Sequence, residues 1–320
     1  MAALLQFAAM ARLAALEAIR RPVFLLVALV SLGGTVLLPF LLNYTLGDSA
    51  RIIRDSALAL YLTSGLLLAA YAADEGLGRE LRRGTAATVL AKPVARPVFF
   101  LAKAAGIIGA LALYSIAALA ATLLATRAGA SDIRLDWAAQ TPALLALLLA
   151  PALAGWWNHR TRRPFTSAAF FLLLIFLLAA LAIAAGFPTP LDHLTFPANF
   201  DWPILAVGAL LFCCLAMVAA AALTLATRLS VTPVLLLTAG LFVFGLMSDY
   251  LLGPRLATSL AARVAYAILP NVQAFWLLDA LDAATPIPAA YFLGAAAYAA
   301  AWSAAALAIG IALFQRQEIT

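Results

Sequence analysis

The feature that most constrains this chain is a series of long runs without a single charged residue. Eight such runs occur, and each is at least 18 residues long. A helix needs about 20 predominantly apolar residues to cross the hydrocarbon core of a bilayer. The runs therefore predict an all-α, polytopic integral membrane protein. The runs are 22–47, 56–73, 104–126, 137–158, 164–191, 202–227, 229–248 and 283–315.

The composition agrees with lipid as the main solvent. Hydrophobic residues make up 66% of the chain, charged residues only 11%, and the mean hydropathy is +1.04. A soluble domain holds about a quarter charged residues. In a soluble protein the net charge of +6 would suggest nucleic acid, but here it reflects cations that gather in cytoplasmic loops. We therefore expect membrane lipid, and no nucleic acid, among the partners.

Charged residues divide the chain into eight predicted transmembrane helices. Their cores are 23–42, 57–73, 98–124, 141–157, 166–186, 203–226, 231–250 and 288–314. A ninth apolar run, 264–278, is too short to cross and contains Pro270. It predicts an interfacial or re-entrant helix within an external loop, 251–287. The run 22–47 is too long for the apolar part of a signal peptide, so we interpret it as an uncleaved first span.

The distribution of the cations predicts the orientation. With the N-terminus inside, fourteen of the twenty Lys and Arg residues fall in inner segments and six in outer loops. Cytoplasmic loops carry the excess of cations, so both termini are predicted in the cytoplasm. Residues 1–21 combine apolar positions with Arg12, Arg20 and Arg21 ahead of Pro22. This pattern predicts an amphipathic helix in the inner headgroup region before the first span.

Residues 74–97 form a basic segment between the second and third predicted spans. This segment contains the clearest signals for where helices start and end. Gly84 can break a helix, and Thr85 is a good N-cap for a short helix after it. Pro93 then ends that helix, and Pro97 suits the first turn of the next span. The segment predicts a cytoplasmic elbow, in which the chain leaves the membrane, forms a helix of about two turns and returns.

The order of residues in this elbow is similar to a known signature. The residues concerned are Glu80, Gly84, Thr85, Lys92, Pro93, Arg96 and Lys103. Their spacing resembles the pattern E-x₃-G-T-x₆-K-P-x₂-R-x₆-K of type-2 ABC transporter permeases, in particular the permease component of multi-copper enzyme maturation systems. The basic start before the first span and the long last span with a short basic tail are also similar to that family.

The resemblance implies that the chain is the transmembrane subunit of an ATP-driven exporter. The membrane implied is the plasma membrane of a bacterium, that is, the inner membrane. In the family, the elbow docks on a separate ATPase subunit, and closure of the ATPase dimer moves the elbow helix. The residues assigned to this coupling elbow are Glu80, Gly84, Thr85, Lys92, Pro93 and Arg96. The resemblance also implies a second permease, either another copy or a paralogue, with ATP and magnesium bound by the ATPase. The chain, 1–320, is then a single permease domain.

The chain departs from the family in its number of spans, because six are usual and eight are predicted. The additional hairpin is predicted at 141–157 and 166–186, joined by a basic loop. Arg160, Arg162 and Arg163 in this loop are either topological markers or a second cytoplasmic contact with the ATPase.

The chain has no sequence signature of its own motor or catalytic centre. The phosphate-binding pattern G-x-x-x-x-G-K-[ST] is absent, so we expect a non-enzymatic subunit that binds no cofactor or metal. Asp74 and Glu75 at the inner end of the second span are interpreted as capping, solvated carboxylates rather than a proton relay. His159 and His193 lie at opposite predicted membrane edges, where both are solvated and cannot share a metal.

Two other classes of protein remain open. A polytopic membrane enzyme acting on a lipid, such as an acyl or glycosyl transferase, needs a cluster of polar catalytic residues on one face. A membrane anchor or assembly factor holds a partner complex together without transport. The span cores contain almost no ionisable residue, which fits a lipid-like or amphipathic cargo and equally a permease that only transmits force.

Overall fold

The protein is described by a computed structural model that covers residues 2–42, 48–82, 95–131, 134–282 and 287–316. Over these residues the chain is helical, and it contains no strand. The predicted all-helical, multi-pass architecture is confirmed at this level. The helices, numbered in chain order, are α1 Ala2–Ile19, α2 Pro22–Leu41, α3 Ser49–Arg82, α4 Arg96–Ala128, α5 Trp137–Thr161, α6 Phe165–Ala185, α7 Pro203–Ala226, α8 Val231–Leu246, α9 Ser248–Leu252, α10 Leu260–Ile268, α11 Leu278–Asp282 and α12 Ala289–Gln315.

Seven of the described helices, α2 to α7 and α12, are long and apolar enough to cross a membrane. The number rises to as many as nine if each of two bent helix pairs counts as one span. The first pair, Val231–Leu246 with Ser248–Arg255, bends by 63°, and the second, Leu260–Ile268 with Gln273–Asp282, bends by 45°. The predicted span 231–250 corresponds to the first pair and the short run 264–278 to the second. The predicted number of eight lies inside this range.

Proline residues mark where several spans begin. α2, α4 and α7 each have a proline in their first two positions, where a missing backbone N–H costs no intrahelical hydrogen bond. Arg21, the residue before Pro22, has the extended backbone that proline favours in its predecessor, and Ala95, the N-cap of α4, is also extended. The predicted restart of the chain at Pro97 is thus confirmed, because α4 begins at Arg96.

Contacts between helix ends define one end of the bundle, which we call the base. It holds α1, the end of α3, the start of α4 and the ends of α7 and α12. The Arg96 guanidinium donates a hydrogen bond to the carbonyl of Gln315 (3.0 Å), and Arg228 donates to the carbonyl of Leu313 (3.2 Å). Both bonds satisfy carbonyls in the last turn of α12 that have no partner within the helix.

The opposite end, which we call the top, holds the start of α3 and the end of α11. There the Arg51 guanidinium pairs with the Asp282 carboxylate at 2.8 Å. Because Arg228 lies at the base and Asp282 at the top, segment 231–282 carries the chain from base to top. α12 then returns it to the base.

The turn inside the second bent pair contacts the middle of α12. The Trp302 indole N–H donates to the carbonyl of Ile268 at 3.2 Å, and Trp302 lies at the middle of α12. The Tyr298 hydroxyl accepts a hydrogen bond from the backbone N–H of Asn271 (2.9 Å). The turn after α10 therefore lies near the middle of α12, from where the chain rises to Asp282.

α4 occupies the centre of the fold, where it packs against α1, α2, α3, α5, α6, α7 and α12. Much of its buried surface is alanine, and such small residues let helices approach closely in lipid. α4 approaches the backbone of α1 closely at Gly106. A Cβ at that position would lie 2.5 Å from both the Ala11 carbonyl oxygen and the Ala14 Cβ.

Buried hydroxyl groups connect α4 with α2 and α3. The Tyr114 hydroxyl lies 2.8 Å from the Ser31 hydroxyl of α2, which in turn accepts a hydrogen bond from Ser64 of α3 at 2.9 Å. One turn away, Tyr61 of α3 donates to Ser115 of α4 at 2.8 Å. Each interhelical bond of this kind contributes about 0.6 kcal/mol, and up to about 1.7 kcal/mol, in a membrane bundle.

We predict that Gly106→Ala lowers the melting temperature of the purified protein, whereas Gly109→Ala does not. The added methyl group at 106 meets the backbone of α1, which cannot rotate away, and such overpacking costs about 1–3 kcal/mol. At 109 a Cβ has no neighbour within 4 Å. Both substitutions raise helix propensity equally, so their difference isolates the contact with α1. Equal melting temperatures would contradict this close packing.

Candidate coupling site at the base

The structure describes two of the predicted elbow residues, and both lie at the base. Glu80 is in the last turn of α3, and Arg96 is the first residue of α4. The other predicted elbow residues, Gly84, Thr85, Lys92 and Pro93, lie outside the described residues. The two described residues mark the stems from which the elbow leaves and to which it returns.

A direct ion pair joins these two stems. The Lys103 ammonium of α4 lies 2.7 Å from a carboxylate oxygen of Glu80 in α3. The same ammonium lies 3.1 Å from the Glu17 carboxylate of α1. Its side chain is only 9% exposed, so Lys103 is a largely buried cation held between two carboxylates. One side chain thereby connects the elbow stems to the N-terminal helix.

A second ion pair stiffens the end of α3, where the helix contains a π turn over Asp74–Gly78. The Asp74 carboxylate accepts two hydrogen bonds from the Arg82 guanidinium, at 2.9 and 2.8 Å. Asp74 is 1% exposed, so its interpretation as a solvated carboxylate is wrong. A buried carboxylate requires a paired cation, and Arg82 supplies it.

Gly78 makes this ion pair possible. A Cβ at position 78 would lie 2.7 Å from the Asp74 carboxylate and 2.9 Å from the Arg82 guanidinium. The pair therefore runs directly over the glycine backbone.

Glu75 extends the network toward α1. Its carboxylate lies 2.6 Å from Arg79, one helical turn away, and 3.3 Å from Arg21 at the start of α2. Arg21 also pairs with Glu17 at 3.1 Å. The network of Glu17, Arg21, Glu75, Arg79, Glu80 and Lys103 joins α1, α2, α3 and α4. We call it the base network.

A cavity of about 430 Å³ opens beside the end of α3. Its walls include Arg82 and the turn between α7 and α8, with Thr227, Arg228, Ser230 and Pro233. The Arg82 guanidinium also donates a long hydrogen bond, 3.4 Å, to the Leu229 carbonyl. The end of α3 thus contacts the α7–α8 turn.

The predicted second contact, formed by Arg160, Arg162 and Arg163, lies at the tip of the α5–α6 hairpin. All three arginines are exposed, and so are His159 and His193. The tip is tied to the base because the Thr166 hydroxyl donates to the backbone carbonyl of Arg20 (2.7 Å). The arginines are therefore near α1 and the base network, but the ion pairs of that network do not include them.

The top carries a separate group of buried charges that was not predicted from the sequence. The buried Arg127 guanidinium pairs with Asp136 at 2.8 Å and donates to the carbonyls of Ala184 and Phe187. These bonds join the end of α4 to the start of α5 and the end of α6. The charge of this guanidinium is thus neutralised by Asp136, and its N–H groups donate to acceptors inside the protein.

Arg54 anchors the other half of the top. It forms an ion pair with Asp282 and lies 3.8 Å from the Asp201 carboxylate. Partial burial raises the pKa of Asp201, and the nearby Arg54 lowers it only in part. A cavity of about 360 Å³ lies between Arg54 and Arg127.

Part of the base network could have been found from sequence spacing. Glu17 with Arg21 and Glu75 with Arg79 stand four residues apart, which is the spacing of ion pairs on one helix face. The links through Lys103 span 23 residues to Glu80 and 86 residues to Glu17. No local pattern indicates pairs so distant in the chain, so the sequence missed Glu17 and Lys103 as partners of the elbow.

Within the described residues, no group of three or more His, Cys, Asp or Glu side chains could hold a metal ion. No protein-family model, curated protein or solved structure matches this chain. These comparisons therefore assign the chain to no family. The similarity of the elbow to that of ABC permeases stays a prediction from the sequence.

We predict that Lys103→Met lowers the melting temperature by roughly 5 °C or more. Removing one partner of a buried ion pair leaves an uncompensated charge and costs about 3 kcal/mol. Here it leaves Glu17 and Glu80 facing each other. Glu80→Gln added to Lys103→Met should therefore restore part of the lost stability, although Glu80→Gln alone is destabilising.

The matched control for this measurement is Arg12→Met. Arg12 is an exposed cation on α1, and it has no ion pair within the described part of the chain. Its loss should leave the melting temperature unchanged. If Lys103→Met is no more destabilising than Arg12→Met, the network contributes nothing to the base.

Proposed function

We propose that the chain is the transmembrane permease subunit of an ATP-driven ABC exporter in the bacterial inner membrane. A separate ATPase subunit hydrolyses ATP and presses on the elbow between α3 and α4. A second permease, either another copy or a paralogue, completes the transporter. The Glu80–Lys103 ion pair between the two elbow stems is the observation that carries the proposal.

The geometry of the stems suits them to transmit force. A push on the elbow reaches α3 and α4 together, because the 2.7 Å Glu80–Lys103 pair joins them. Lys103 passes the same displacement to α1 through Glu17, and Arg96 passes it to α12 through the Gln315 carbonyl. Packed helices with paired charges move as rigid bodies, so a displacement at the base tilts whole spans.

The distribution of charge supports a cytoplasmic base. The segments predicted to lie inside come together at this end, including α1, both elbow stems and the hairpin tip. The cations that the structure places there include Arg20, Arg21, Arg82, Arg96 and Lys103. An excess of Lys and Arg marks the cytoplasmic side of a membrane protein. Both termini are then cytoplasmic, and the re-entrant segment opens to the outside.

The experiment that tests the proposal uses tagged full-length chain purified from its native membranes. We expect an ABC-type ATPase to co-purify in stoichiometric amount and to hydrolyse ATP. Gly84→Leu combined with Thr85→Val removes the predicted helix break and cap. This variant should reduce ATPase binding or turnover at least tenfold, because the elbow loses its shape while the spans are unchanged.

Ala87→Ser, a conservative change in the same segment, is the control and should keep both properties. Unchanged ATPase binding and turnover in the Gly84→Leu/Thr85→Val variant would show that the coupling assignment is wrong. Turnover of a lipid substrate by the purified chain alone would favour a membrane enzyme. A partner complex that assembles fully around a catalytically dead ATPase would favour an anchor.

A further inference from the structure

The α5–α6 hairpin ends at the base in a surface that neither the coupling site nor the ion pairs explain. The segment 137–191 contains no Asp or Glu, yet its turn carries Arg160, Arg162 and Arg163. None of these arginines forms an ion pair with any carboxylate that the structure describes. Three cations close in sequence repel one another, so an external anion would stabilise them.

Two exposed indole rings lie directly beside these cations. The Trp156 side chain is 57% exposed and the Trp157 side chain 42% exposed. The Arg160 guanidinium lies 4.8 Å from the centre of the Trp156 ring, and Arg163 lies 5.8 Å from that of Trp157. Indole favours the boundary between hydrocarbon and headgroups, and a stacked guanidinium is held at that same level.

The exposed surface of α5 indicates that the indoles face lipid. The helix exposes several leucines on its way to the tip, while most of its alanines pack inward. The exposed leucines are Leu145, Leu148, Leu149 and Leu153. An apolar surface that ends in two indoles and then in arginines follows the polarity profile of one leaflet, from acyl chain to phosphate.

A fourth cation comes from the N-terminal part of the chain. The Thr166 hydroxyl binds the backbone carbonyl of Arg20 at 2.7 Å, so the α1–α2 junction lies against the start of α6. Arg20 is exposed, and it has no ion pair within the described part of the chain. Its neighbour Arg21, by contrast, is neutralised by Glu17 and Glu75.

We infer that Arg20, Arg160, Arg162 and Arg163, together called the basic tip, bind the phosphate of an acidic phospholipid. The lipid lies in the leaflet at the base, with its acyl chains along the leucines of α5 and its headgroup between the hairpin and the α1–α2 junction. Guanidinium groups suit phosphate because their planar N–H donors match two of its oxygens. A soluble ATPase surface would not require the exposed indoles, so lipid is the occupant that the geometry favours.

The test titrates the purified full-length chain with phosphatidylglycerol or phosphatidylcholine and counts bound lipids by native mass spectrometry. We expect tighter binding of phosphatidylglycerol at one site. Replacing Arg160, Arg162 and Arg163 by Gln should weaken that binding by about fivefold for each arginine, because each cation near an anionic surface contributes about 1 kcal/mol. Binding of phosphatidylcholine should not change.

The control replaces two exposed arginines outside the basic tip, Arg134→Gln and Arg255→Gln, and should keep the preference for phosphatidylglycerol. If the triple variant fails to fold, the single variants Arg160→Lys and Arg163→Lys replace it. They keep the charge but lose the planar stacking, and weaker phosphatidylglycerol binding in either one supports the site. Because the titration contains no ATPase, its result does not depend on the proposed function.

Three outcomes would overturn the inference. Equal affinity for the two lipids would show that the arginines do not recognise an acidic headgroup. Unchanged phosphatidylglycerol binding in the triple variant would place the lipid elsewhere. Unchanged lipid binding in the triple variant, with loss of the ATPase in a separate co-purification from native membranes, would make the basic tip a protein contact.

Discussion

The close packing of helices against α4 is the constraint on which the rest of the structure depends. In a bilayer the surrounding lipid is as apolar as leucine, so burial of apolar side chains does not drive helices together. Association must come from tight van der Waals contact and interhelical hydrogen bonds. α4 provides both, through a buried surface rich in alanine, through Gly106 against α1, and through the Tyr114 and Ser115 hydroxyls facing α2 and α3.

Charged residues complement this packing at the two ends of α4. Lys103 near its start and Arg127 near its end are both buried, and each pairs with carboxylates or carbonyls from other elements. Such groups are costly to bury alone, so they fix which helices lie next to one another. The polar groups therefore define the arrangement that close packing stabilises.

The sequence predicts the spans well because their signal is local. Charge-free runs and first-turn prolines such as Pro97 depend only on neighbouring residues, and the long helices follow them closely. The break after Leu246 lies beside a contact distant in the chain, since Gly245 lies against the Pro270 carbonyl. Lys103 illustrates the same limit at the candidate site. The sequence shows that Lys103 is a cation, but it does not show which carboxylates pair with it. Those carboxylates, Glu17 and Glu80, belong to helices that come together only in the folded chain.

The π turn at Asp74–Gly78 determines which way the end of α3 faces. In a regular α-helix, residues eight apart point about 80° away from each other. One extra residue absorbed in a wider turn reduces this angle to about 20°, which lets Asp74 meet Arg82. Because the wider turn already absorbs one residue, a deletion within it would leave a regular α-helix in which Glu80 still faces Lys103. A deletion in the regular helix before the turn would instead rotate Glu80 by about 100° away from Lys103. The alignment of the elbow with the spans thus depends on the number of residues in α3 and on the one residue that this turn absorbs.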